Sequence, residues 1–110
     1  MTRDDLIKHF DATVARMRET LVAKNADYSG ATDDALANFN RVELLGIAAT
    51  ETGFLTRMLD KMMRIATFVG RGTLAVKDEA VDDTVLDLAN YAILLHAQIA
   101  DRRASGRRPA

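Results

Sequence analysis

The sequence predicts an all-α protein, a four-helix bundle. Three observations carry that reading. Apolar residues recur at three- and four-residue spacing along four long segments. Only one proline and six glycines occur in 110 residues, which leaves long uninterrupted segments. Leu, Ala, Met, Asp and Arg dominate over Val, Ile and aromatics, a composition that favours helix. The length predicts one helical domain over 1–104, with 105–110 a flexible basic tail.

The first segment runs from about Asp4 to Ala23, where Leu6, Ile7, Phe10, Val14, Met17 and Leu21 form one apolar stripe. Thr2 or Asp4 is its expected cap. Lys24-Asn-Ala-Asp-Tyr-Ser-Gly-Ala-Thr32 is rich in turn formers and reads as a loop. A second helix is expected from Asp33 or Asp34 through Ala35, Leu36, Phe39, Val42 and Leu45, weakened at Gly46. The third runs from Thr50 to Val69 and stops at Gly70-Arg-Gly72. The fourth begins near Lys77 or Asp78 and runs to about Arg103. The third and fourth helices are apolar on more than one side. The Met58, Met62 and Met63 stripe reads as core, and the breadth of the faces predicts completion by other copies, a homodimer or homotetramer.

Composition excludes several classes. There is no cysteine, so disulfides and thiolate metal sites are out. His9 and His96 are far apart, which leaves zinc poorly supplied and oxygen as the only ligand for a metal. The apolar runs are too short to span a membrane, and the start lacks the apolar block of a signal peptide, so a cytoplasmic protein is expected. Net charge is -1, which carries no strong instruction toward nucleic acid. Arg102, Arg103, Arg107 and Arg108 crowd the last nine residues and read as solubilising.

The densest chemistry lies in Glu79-Ala-Val-Asp-Asp-Thr-Val-Leu-Asp-Leu-Ala-Asn-Tyr91. At 100° per residue, Glu79, Asp83, Asp87 and Asn90 share roughly a quarter of the helix circumference. First-turn acids that complement the helix dipole explain Glu79 and Asp83. They do not explain Asp87 or Asn90, further in. Carboxylates four residues apart repel, and a hard cation, magnesium or alternatively manganese, would offset that. Asp60 on the third helix is a further candidate ligand. In Arg57-Met-Leu-Asp-Lys-Met-Met-Arg64 a narrow charged strip crosses an apolar helix. Arg57, Lys61 and Arg64 there suit phosphate oxygens. The competing readings are an ordinary solvated face with an internal Asp60–Arg64 pair, and an interhelix salt-bridge lattice holding the bundle. Lys24, Asn25, Asp27 and Tyr28 form a polar cluster that turn chemistry alone can explain. Asn38-Phe39 offers an aromatic able to stack on a base, with core packing the simpler role.

These residues together resemble a known family. A Lys-Asn-x-Asp-Tyr segment, an Asn-Phe, Arg-x-x-Asp-Lys-x-x-Arg and Glu-x-x-x-Asp-Thr-x-x-Asp-Leu-Ala-Asn-Tyr are similar to small phage and bacterial proteins of the nucleotide-modification-associated type. Those look like members of the all-α nucleoside triphosphate pyrophosphatase superfamily, alongside MazG and the dimeric dUTPases. The likeness covers about Leu21 to Leu95. It implies a helical, oligomeric, magnesium-dependent enzyme that splits (deoxy)nucleoside triphosphates to monophosphate and pyrophosphate, in the host cytoplasm if phage-encoded. It implies Glu79 and Asp83 as metal ligands, with Asp87 one turn on able to join them; the mechanism expected from the charges adds Asp60 as a metal ligand and Lys61 and Asp87 as catalytic residues. Substrate contacts would come from Lys24, Asn25, Asp27, Tyr28, Asn38, Arg57, Arg64 and Asn90. The chain departs from the MazG pattern on the third helix, with Asp60 and Arg57 where a Glu-x-x-Glu pair would stand. That departure keeps two alternatives open: a nucleotide-binding protein without catalysis, acting as sensor or sponge, and a helical interaction module.

Overall fold

The computed structural model describes residues 1–29, 33–77 and 79–106, the side chains at 27–29 and 79 excepted. It contains four helices: α1 (Arg3–Ser29), α2 (Ala37–Leu44), α3 (Thr50–Arg71) and α4 (Glu79–Ser105). There is no strand among the described residues, and the architecture is all-α as the periodicity predicts. The chain divides into two compact units, Met1–Ala35 and Leu36–Ala110.

In the first unit α1 opens on a reciprocal cap. The Asp5 backbone N–H donates to Thr2 Oγ1 and the Thr2 N–H to Asp5 Oδ2, each at 3.1 Å. This satisfies amides that the first turn leaves orphaned. Of the loop expected over 24–32, residues 24–29 are instead the last two turns of α1, and 30–32 lie outside the described residues. No glycine or proline occurs before Gly30, and Asn, Asp, Tyr and Ser each cost a growing helix under about 0.7 kcal/mol relative to Ala. Asn25 gains a partner beyond the helix, donating Nδ2 to the Ala35 carbonyl at 2.8 Å.

In the second unit α3 packs along α4, and α2 packs on α3. The predicted second helix starts later, at Ala37, and ends at Leu44. Its end is set by Gly46 at φ +71°, a conformation that costs a side chain roughly 1–2 kcal/mol and glycine nothing. The Gly46 and Ile47 amides then return to the Glu43 and Val42 carbonyls at 3.0 Å. Gly72, at φ +67°, ends α3 in the same way.

The centre of this unit is small. Phe39 and Phe54 stack with centroids 4.7 Å apart, and Phe54 is 1% exposed. Leu36 and Val81 complete the buried apolar set. Close beside it lies a buried polar layer. Thr50 Oγ1 donates to Asn40 Oδ1 at 2.8 Å, and Gln98 Nε2 donates to the same oxygen at 3.2 Å. The methionine stripe does not serve as core throughout. Met58 is half-buried, but Met62 and Met63 are more than half exposed on α3. A helix with two packed neighbours has further apolar sides left over.

Candidate functional site

The two charged strips meet on the α3–α4 seam. Lys61 Nζ lies 3.6 Å from Asp87 Oδ2, and both side chains are largely buried. Desolvation strengthens that attraction relative to a surface pair. The acidic strip on α4 runs from solvent inward: Asp83 is exposed, Asp87 half-buried and Asn90 buried. A solvated face would not dip inside in this way. Asp87 is therefore a half-buried polar group and Asn90 an interior one.

Asp60 behaves differently. It pairs with Arg64 one turn on at 3.3 Å, with 57% and 59% of the two side chains exposed. Such a pair contributes no more than a few tenths of a kcal/mol. Among the described residues Asp60, Asp83 and Asp87 do not gather into a three-carboxylate metal group. The Glu79 side chain lies outside the described residues. On α4, positions 79, 83 and 87 stand at one-turn spacing.

One turn before Lys61 on α3, Arg57 borders a cavity of about 320 Å³ between α2 and α3. Asn38, Phe39, Thr50, Phe54 and Thr56 also line it. The Arg57 guanidinium sits 5.0 Å from the centre of the Phe39 ring. Cation–π contact holds that flexible side chain over an aromatic floor. The Asn38-Phe39 pair and Arg57, distant in sequence, thereby share one wall. Phe39 is buried, so it serves as core as well as lining. Lys24 and Asn25 belong to the first unit and are half-buried. The Asp27 and Tyr28 side chains lie outside the described residues.

The strongest polar cluster was not legible in the sequence. Arg102, its charge expected to be merely solubilising, donates Nε to Glu51 Oε1 at 2.6 Å and Nη2 to Glu51 Oε2 at 2.7 Å. Nη2 also donates to Glu43 Oε1 at 2.6 Å. Its side chain is 11% exposed. Arg102 holds both carboxylates below their ordinary range, and Glu51 and Glu43 in turn raise the Arg102 pKa. Glu43 further accepts the Thr50 N–H at 3.2 Å, capping α3 from α2. The partners lie 51 and 59 residues away from Arg102, beyond any periodicity. A clamp so fully satisfied holds three helices together; its guanidinium is already spent.

No helix among the described residues is long and apolar enough to cross a membrane. Compared with known proteins, the chain matches no family model, no curated protein and no solved structure.

Proposed function

We propose that the protein is a magnesium-dependent nucleoside triphosphate pyrophosphohydrolase, with the α3–α4 seam as its active site. The observation that carries this reading is the Lys61–Asp87 pair at 3.6 Å, joining the basic strip to the acidic one. A Mg²⁺-bound oligophosphate requires both signs of charge within one helix turn of each other. When bound by Glu79, Asp83 and Asp87, the cation would supply charge neutralisation and a more acidic water. The chain's own residues do the rest. Lys61 and Arg57, one turn apart on α3, neutralise negative charge on the departing pyrophosphate. Lys61 also holds Asp87 in place through their 3.6 Å contact, so that its oxygen faces the seam. Asn38 and the Phe39 wall, steadied by Arg57, receive the base or sugar in the neighbouring cavity. The protein would work as an assembly of two or four copies in the cytoplasm, with no nucleic acid or membrane partner.

The support for self-association is a periodicity. Leu55, Leu59, Met62, Ala66 and Val69 follow a four-three-four-three spacing on α3, and all five are exposed. A 3.5-residue repeat of apolar side chains is the pattern that a second helix covers. α1 carries its own such line through Ile7, Phe10 and Val14, also exposed. A second copy of this chain presents both.

A second reading keeps the nucleotide and drops turnover. Asp60 favours it, being turned to Arg64 rather than joined to the α4 acids. Thermal melting against nucleoside tri- and diphosphates, with and without magnesium, alongside a pyrophosphate assay, separates the readings. A magnesium-dependent shift with pyrophosphate release is expected. A shift without product selects the binder, and no shift leaves a helical interaction module. Asp83→Ala should abolish the metal-dependent activity while preserving the fold; normal hydrolysis by that variant would overturn the assignment.

A further inference from the structure

A separate cavity of about 240 Å³ opens toward the C-terminal end of α3, between it and the start of α4. Arg64, Thr67, Phe68 and Arg71 line it from α3, and Ala80 and Thr84 from α4. None of these is acidic. The two hydroxyls give their protons to their own helices: Thr67 to the Met63 carbonyl at 3.1 Å and Thr84 to the Ala80 carbonyl at 2.6 Å. The donors left for a ligand are therefore the two guanidinium groups, at i and i+7 on one helix face. Arg71 forms no ion pair with any described residue. Among the described residues Arg64 is tied only to the exposed Asp60, a contact weak enough to be exchanged. Phe68 gives the cavity an apolar wall, which lowers the local dielectric and strengthens any ionic contact.

We propose that this cavity is a phosphate subsite in which Arg64 and Arg71 together grip the terminal phosphoryl group of an oligophosphate chain. Two forked donors on one compact dianion match the geometry in which arginine surpasses lysine. The cavity continues the basic line of Arg57, Lys61 and Arg64 by one further cation, so it reads the length of the phosphate chain. This assignment rests on the nucleotide reading for its source of phosphate, but the chemistry is that of any oligophosphate. It makes the protein a discriminator of triphosphate from monophosphate.

The experiment is calorimetric titration of wild type, Arg71→Ala and Arg71→Lys with a nucleoside triphosphate, the matching monophosphate and inorganic tripolyphosphate. Arg71 is exposed at the end of a helix, so its truncation spares the fold. Arg71→Ala should weaken triphosphate and tripolyphosphate binding about tenfold or more, leave the monophosphate unchanged, and be partly rescued in Arg71→Lys. Equal triphosphate affinity in wild type and Arg71→Ala overturns the subsite while the nucleotide reading stands. Tripolyphosphate binding that needs Arg71, without any nucleotide binding, upholds the subsite and overturns the nucleotide reading. No binding of any of the three by wild type overturns both.

Discussion

Arg102, in the last turn of α4, grips Glu51, in the first turn of α3, through two hydrogen bonds of 2.6 and 2.7 Å. The same guanidinium reaches Glu43 at the end of α2, and Glu43 caps α3. Three helix ends thus hang on one side chain. Replacing it with Met leaves two carboxylates close together without their cation. Breaking a fully buried pair costs roughly 3–5 kcal/mol; the partial exposure here discounts that to about 2–3 kcal/mol. Urea unfolding of Arg102→Met should show that loss. A change under about 0.5 kcal/mol would mean that the clamp is not structural.

The clamp also sets an acid limit. Both carboxylates have folded pKa values below their ordinary 4.5, chiefly because Arg102 hydrogen-bonds to them. The native state therefore binds fewer protons than the unfolded chain in this range. The stabilisation is fully present above about pH 4.5 and is lost as pH falls through the lower folded values. Melting temperatures of wild type and Arg102→Met should differ at pH 7 and converge toward pH 3. A gap independent of pH would overturn this.

Gln98 is 0% exposed and shares Asn40 Oδ1 with Thr50. Its Oε1 finds no hydrogen-bond partner among the described residues. Gln98→Ala removes buried volume and a donor to Asn40, and should cost about 2–4 kcal/mol. Gln98→Met keeps the volume and removes the unsatisfied oxygen, so it should cost less than half as much. Equal losses in the two variants, measured by denaturation, would contradict this account of the polar layer.

Lys61 and Asp87 separate chemistry from architecture. Lys61→Met should reduce pyrophosphate release by at least about 100-fold while costing only on the order of 1 kcal/mol of stability. The reciprocal exchange, Lys61→Asp with Asp87→Lys, restores the ion pair but reverses its placement. Stability should return and turnover should not. Recovery of both would reduce the pair to a salt bridge.

The exposed α3 line predicts an assembly. Sedimentation of the wild type should give two or four copies. The double variant Leu59→Glu, Met62→Glu should give a monomer with its helix content intact. A monomeric wild type would remove self-association from the proposal.

The helices were legible because their causes are local. Heptad-like spacing marked α1, α3 and α4, and Gly46 and Gly72 stand at the left-handed ends of α2 and α3. The acidic and basic strips followed from spacing as well, since residues one turn apart share a face whatever surrounds them. Lys24 to Ser29 misled because turn propensity is a weak prior, and a helix already nucleated passes through such residues at small cost.

What only the tertiary structure decided depends on pairs distant in sequence. These are the Arg102 clamp, the Asn40–Thr50–Gln98 layer, and which apolar residues of α3 are covered. Periodicity orients a side chain around its own helix axis. It does not say which helix, if any, comes to meet it. That is set by packing across 10 to 59 residues of chain, where one arginine near the end became the tie for two glutamates near the middle.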